Sequence, residues 1–254
     1  MPISFGPLPP HPAGKFEDVR TLMVVMRTTE ESIARLLPPG FEPTSEALLY
    51  CYVQRCRGVN FLAGGEYRLF GCNVSARYVG SGPVLEGQFA LILWENDIEA
   101  IIRGREILGI PKLLAEIDDP IDGGMGFQIS AKERGFPLIS MRMTSGVQMS
   151  ETGLQELRDE MHRDSWFGWK HIPSVDGIGV EVSHPTRVGI VQEPVAGWDC
   201  SGSIAVHSVE WQACPTSARI VAGLRSMPVL EVVRAYRTEG TVTLTRADHQ
   251  VLGR

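Results

Sequence analysis

Residues 19–40, VRTLMVVMRTTEESIARLLPPG, change character once, and that change decides the fold class. Up to Arg27 the stretch is β-branched and large apolar residues with an arginine near each end, the composition of a strand. From Thr28 the spacing turns helical. A threonine cap precedes Glu30 and Glu31 in the first turn, Ile33, Leu36 and Leu37 share one face, and Pro-Pro-Gly stops the helix before residue 41.

Outward from this stretch, further strand-like runs occupy 47–55, 70–80, 86–94, 126–133 and 240–246, separated by GG, GSGP, DGG and DG at hairpin-like intervals. Helical spacing returns at 95–106, beginning at Asn96 or Asp97, at 150–163, and at 226–236, where Ser226 reads as a cap and Pro228 as a first-turn residue. There is no repeat period and no low-complexity linker. The pattern predicts one α+β domain over 1–254, built on antiparallel sheet, with an irregular arm at 1–15.

The composition narrows the function classes. The chain has 254 residues, 43% of them apolar, and a net charge of −6 with its arginines scattered, so a nucleic-acid footprint is not expected. Its longest apolar runs, such as FALILW at 89–94, fall far short of the roughly 20 residues of a membrane helix. The N-terminus lacks the basic and apolar regions of a targeting signal, which predicts a cytoplasmic protein. Five cysteines without a C-x-x-C pair, and six histidines without H-x-x-x-H or H-E-x-x-H, give no metal site. The run EIDDPID at 116–122 lacks the spaced ligands of a calcium loop. No Walker A loop or G-x-G-x-x-G turn is present, so no cofactor is expected.

One stretch resists a purely structural reading. In GREILGIPKLLAEI, 104–117, one of only four lysines stands in an apolar run, flanked by Ile110, Pro111, Leu113 and Leu114. Lys112 can snorkel to water or pair with Glu106 or Glu116. It can also serve as an amine nucleophile. A Schiff-base lysine must be neutral near pH 7 against an unperturbed pKa of about 10.4, and burial among apolar neighbours works in that direction. The protonated iminium would then act as an electron sink, so that a β-carboxylate can leave as CO₂.

These residues resemble a known family. GREILGIPK is similar to the Gly-Arg-Glu…Gly-x-Pro-Lys signature of the acetoacetate decarboxylase superfamily, itself a usual illustration of an amine activated by its surroundings. WKHIPSVDG (169–177) resembles the family's Lys-x-Ile-Pro-x-x-Asp-Gly segment. VVMRTTEESIARLLPPGFEP (24–43) resembles its first strand and helix, and MPVLEVVRA (227–235) its C-terminal Pro-Val-x-Glu-Val-Val helix. The resemblance implies that Lys112 forms the Schiff base. It also implies a curved antiparallel sheet forming a cone or barrel with short peripheral helices, and a homo-oligomer.

The chain departs from the family at three places. A second lysine usually follows the first, and here that position is Leu113. A Tyr-x-Glu segment corresponds to Tyr67-Arg68-Leu69, so a pocket carboxylate is replaced by Leu69, with Arg68 turned to the other side of the strand. An arginine that meets the substrate carboxylate would align with Val19, leaving Arg20 and Arg27 close by. Tyr67 and Trp94 resemble pocket walls, Glu106 lies inside the signature as a candidate base, and Tyr67, His171 and Tyr236 are candidates for handling protons. The resemblance thus implies a carbon–carbon lyase that decarboxylates a β-keto acid or related oxo acid larger or more apolar than acetoacetate. Two alternatives stay open: an aldolase, dehydratase or cyclase using the same lysine, and a non-catalytic small-molecule binding protein on the same fold.

Overall fold

The computed structural model describes residues 13–124 and 126–253, together with Ser4. In chain order its elements are β1 (Ala13–Arg27), α1 (Glu30–Ala34), β2 (Phe41–Pro43), β3 (Leu48–Val59), β4 (Gly65–Tyr78), β5 (Leu85–Glu95), α2 (Ile98–Arg103), β6 (Lys112–Leu114), β7 (Glu116–Ile117), β8 (Phe127–Glu133) and β9 (Phe136–Met143). There follow β10 (Val147–Gln148), α3 (Glu151–Arg163), β11 (Ser165–Pro173), β12 (Val180–Val188), β13 (Ile190–Cys200), β14 (Gly202–Val206), α4 (Ala218–Arg225), β15 (Glu231–Thr245) and β16 (Gln250–Val251).

Twelve strands form one sheet in the order β10-β13-β15-β1-β3-β4-β5-β11-β12-β16, with β2 added to β4 and β6 to β5. A second sheet, β14-β9-β8-β7, lies apart in the pairing. The far edge of β5 is divided. Residues 87–89 pair with β11 and residues 93–95 with β6, and both pairings are parallel. The large sheet is therefore mixed rather than wholly antiparallel. Nor does it close into a cone or barrel among the described residues, because it ends in the two-residue strands β10 and β16. Such short end strands leave little unpaired backbone for another chain to join.

Strand alternation sends the side chains of the large sheet into two cores. Leu22, Val24, Val53, Phe70, Cys72 and Trp94 pack with Ile129, Leu138, Ile139 and Met141 of the second sheet. On the opposite face Val19, Met23, Tyr52, Cys56, Tyr67, Leu69 and Leu93 pack with Ala100, Ile110 and Leu157.

Two of the four expected helices are shorter than the spacing predicts, and one is absent. In α1 the cap is Thr29, whose side chain accepts from the Ser32 amide, and the helix lasts five residues. In α2 the cap is Asp97, accepting from the Ala100 amide, and the last part of the expected helix becomes a π-helical turn at Gly104–Leu108. Ser150 caps α3 as expected. The expected helix at 226–236 is absent. Ser226 ends α4 instead, its amide bonded to Ala222 and Gly223 and its hydroxyl to the Gly223 carbonyl at 2.7 Å. The chain then enters β15, which lies between β1 and β13. Two flanking strands satisfy its backbone, and that pairing outweighs the capping signals. Residues 13–15 of the expected arm belong to β1, with Ala13 opposite Thr245, and the rest of that arm, Ser4 apart, lies outside the described residues.

Ile129 is fully buried where the two sheets meet. Ile129→Ala is expected to lower the unfolding free energy by about 2–5 kcal/mol, as read from the urea midpoint, because the facing sheet cannot collapse onto the vacated space.

Candidate functional site

Lys112 owes its position to the three-residue pairing of β6 with β5. The Leu93 amide bonds to Pro111 O at 2.9 Å and the Ala115 amide to Glu95 O at 2.9 Å, which sets Lys112 opposite Leu93. Lys112 and Leu93 thus share the face that carries Met23, Tyr52 and Leu69. Two residues beyond Leu93 on the same face lies Glu95.

The segment leading into β6 is pinned from several sides. Gly109 ends the π-helical turn at φ +72°, the Trp169 amide bonds to its carbonyl at 3.0 Å, and Thr186 Oγ1 donates to Leu108 O at 2.7 Å. Arg105 Nη1 donates to Lys112 O at 3.2 Å. Gly104 makes room for the lysine stem, since a Cβ there would stand 2.2 Å from Lys112 Cε and 2.8 Å from Nζ. Arg105 of the signature therefore holds backbone, and Gly104 provides space. A π-helical turn is a rare departure that recurs at functional sites.

The lysine ammonium meets one carboxylate. Lys112 Nζ lies 2.7 Å from Glu95 Oε1 and donates to Ala100 O at 3.3 Å. Both side chains are buried, Glu95 completely. Apart from Lys112, neither oxygen of Glu95 has a hydrogen-bond donor among the described residues. Burial raises the Glu95 carboxyl above its ordinary value, and the neighbouring Lys112 charge opposes that rise without cancelling it. Around the pair stand Cys56 and Tyr67, opposite one another on β3 and β4, and Leu69, directly opposite Glu95. Burial pushes the Cys56 thiol up to about 12 and the Tyr67 hydroxyl well above its usual range. Both are therefore neutral at pH 7. Among the described residues no three His, Cys, Asp or Glu side chains converge as they would to hold a metal ion.

The sequence-predicted residues separate into those near Lys112 and those elsewhere. Tyr67 and Leu69 lie on its face of the sheet. Trp94 and Leu113 point into the other core, where Trp94 Nε1 donates to Ser217 Oγ at 3.2 Å. Neither shares the face of the sheet that carries Lys112. Arg20 pairs with Glu239 at 3.1 Å and Arg27 with Glu231 at 2.6 Å, on the β1–β15 side of the sheet rather than beside β6. His171 is exposed on β11, its Nδ1 3.3 Å from Ser183 Oγ, and Glu106 is half-buried and in no ion pair among the described residues. Lys112 takes Glu95 as partner rather than Glu106 or Glu116. Tyr236 occupies the same cross-strand row as Lys112, but Met23, Tyr52, Gly71 and Leu93 stand between them.

Two consequences can be measured. Because the folded state holds the Glu95 proton more tightly than the unfolded chain, its contribution to stability is greatest below the ordinary value of 4.5 and falls as pH rises through the raised folded value. The stability of the wild type relative to Glu95→Gln, from urea titrations across this range, is expected to decline with rising pH; a flat or rising difference would contradict the site. Gly104→Ala is expected to slow reductive labelling of Lys112 at least about tenfold while leaving the circular dichroism spectrum unchanged, because the added methyl displaces the amine.

Residues 1–252 match the family model described as acetoacetate decarboxylase (ADC). The acetoacetate decarboxylase of Streptomyces nogalater is 27% identical over 242 residues, covering 94% of this chain and 90% of that relative. The crystal structure of acetoacetate decarboxylase from Legionella pneumophila superposes with a TM-score of 0.75 at 20% identity, over 93% of this chain and 86% of that one. The enduracididine biosynthesis enzyme MppR, complexed with pyruvate, superposes with a TM-score of 0.73 at 16% identity, over 97% and 92% of the two chains. With a matching fold and a match over nearly its whole length, this chain belongs to the acetoacetate decarboxylase family.

Proposed function

We propose that the protein is a Schiff-base enzyme in which Lys112 attacks the carbonyl of a β-oxo acid larger or more apolar than acetoacetate and the resulting iminium drives loss of CO₂. The observation that carries this reading is the buried Lys112–Glu95 pair at 2.7 Å. A proton passing from the ammonium to Glu95 leaves a neutral amine with its lone pair free, and the raised affinity of Glu95 for a proton favours that transfer. The amine adds to the carbonyl carbon to give a carbinolamine. The Glu95 proton then leaves with the hydroxyl as water, forming the protonated iminium. Electrons from the breaking carbon–carboxylate bond flow into the iminium, the enamine is protonated, and hydrolysis releases the product. Leu69, Leu93 and Ile110 supply apolar surroundings, in which a departing carboxylate loses less hydration than it would in water.

A second reading keeps the same lysine. MppR, which shares the fold, is known with the condensation product of pyruvate and imidazole 4-carboxaldehyde. An enamine on Lys112 could likewise attack an aldehyde instead of taking a proton, which would make the enzyme an aldolase or dehydratase.

Borohydride reduction in the presence of a panel of oxo acids is expected to fix one adduct on Lys112, mapped by peptide mass spectrometry. Lys112→Arg keeps a cation beside Glu95 but cannot form the iminium, and should give no adduct and no CO₂. Equal turnover by wild type and Lys112→Arg would overturn the proposal. Adduct formation without CO₂ would select the second reading.

A further inference from the structure

A cavity of ≈ 240 Å³ lies between the two sheets, on the face of the large sheet turned away from Lys112. Leu49, Cys51 and Cys72 line one side, Ile139 and Ile204 the other, and Leu224 of α4 one end. The path of β14 explains the space. At Gly202 the sheets touch, since a Cβ there would stand 2.8 Å from Val24 Cγ2 and 3.2 Å from Ala235 Cβ. Strand alternation puts Ile204 and Val206 on the same side as Gly202, and both line the cavity. The sheets therefore part toward the end of β14, the edge strand of the second sheet.

Protein interiors are close-packed, with few voids larger than a water molecule, and the walls of an empty one forgo dispersion contacts. An engineered apolar cavity of about 150 Å³ is enough to hold benzene. This one is larger, and Arg225 apart its lining among the described residues is aliphatic, methionine or cysteine. The two ends differ. Deep inside, Cys51 and Cys72 are cross-strand partners whose sulfurs lie 3.6 Å apart, and they offer nothing to a charged group. The lining residues that reach solvent are Arg225 and Val229, and Arg225 forms no ion pair or hydrogen bond among the described residues. A last-turn arginine suits the dipole of α4, yet Leu224 and Met227 on either side place this one beside the opening. Arg27 and Glu231, tied to the same segment through the bond from the Leu230 amide to Arg27 O, neutralise one another at 2.6 Å. A carboxylate at the mouth would meet a free guanidinium and stay in water, so its charge need not be buried. An ammonium there would meet repulsion.

We propose that this cavity binds an unbranched monocarboxylate, its chain between the sheets and its carboxylate on Arg225. A water molecule takes about 30 Å³ in the liquid, a bulk close to that of a methylene group, so the space suits a chain of about eight carbons. The site does not depend on the amine chemistry of Lys112, which lies on the other face.

Calorimetric titration at pH 7.5 with octanoate, 1-octanol and octylammonium, each kept below the concentration at which it aggregates, tests the site. Octanoate is expected to bind about tenfold more tightly than octylammonium. From butanoate through octanoate to dodecanoate, affinity should rise and then level off once the chain fills the space. Arg225→Gln, an exposed change, should weaken octanoate about fivefold and leave 1-octanol unaltered. Ile204→Phe fills the cavity and should abolish the binding of both, with its urea midpoint showing that it folds; if it does not fold, Arg225→Gln decides alone. Lys112→Arg should bind octanoate as the wild type does, which separates this site from the lysine pocket. Equal affinity for octanoate and octylammonium, unaltered octanoate affinity in Arg225→Gln or in folded Ile204→Phe, loss of binding in Lys112→Arg, or no binding of octanoate at millimolar concentration would overturn the site. None of these results bears on whether Lys112 forms an iminium, which the borohydride experiment reads separately.

Discussion

Everything distinctive about the lysine site depends on the parallel pairing of two very short stretches, 93–95 of β5 and 112–114 of β6. That register places a lysine and a glutamate on one face, two residues apart along the strand and one strand apart across the sheet. Removing both charges from water is costly, and their mutual attraction offsets that cost only while the geometry holds. The segment before β6 is accordingly fixed by bonds from Trp169, Thr186 and Arg105. Buried ion pairs are weak evidence for stability. On the proposed reading the pair holds a proton where the amine chemistry needs it.

The missing carboxylate at Leu69 takes on a different meaning in this light. Leu69 and Glu95 are direct cross-strand partners. The resemblance implies a carboxylate on β4, whereas this chain places one on β5, facing the same space. Side chains opposite one another in a sheet lie close enough for either to reach a common neighbour. An apolar residue at 69 therefore leaves the lysine with an acidic partner and adds an apolar wall beside it.

The strands around Lys112 were legible in the sequence because half-buried strands advertise themselves by composition, and the GREILGIPK segment marked the lysine directly. Glu95 was not legible. It ends an apolar run and precedes Asn96 and Asp97, where a carboxylate looks like the start of a helix, and only a pairing between segments 17 residues apart brings it to Lys112. Alternation from Leu93 would have placed it on the right face without naming its partner. The exchange of helix for strand after Ser226 has a similar origin. Serine followed by proline is a sound local signal for a helix start, but two neighbouring strands offered the β15 backbone more than a helix could. The division of β5 between two parallel partners, which accompanies an open sheet rather than a barrel, leaves no trace in local pattern at all.

The two-faced packing of the large sheet also bears on how such a protein can change. Alternate residues at the end of β5 serve separate cores: Leu93 and Glu95 look toward the lysine, while Ile92 and Trp94 look toward the second sheet. Substitutions on the two faces share a backbone but few side-chain neighbours, so their effects should combine nearly additively. The architecture thereby uncouples two inheritances. One face can change around Lys112 while the other, packed against the second sheet, keeps the fold.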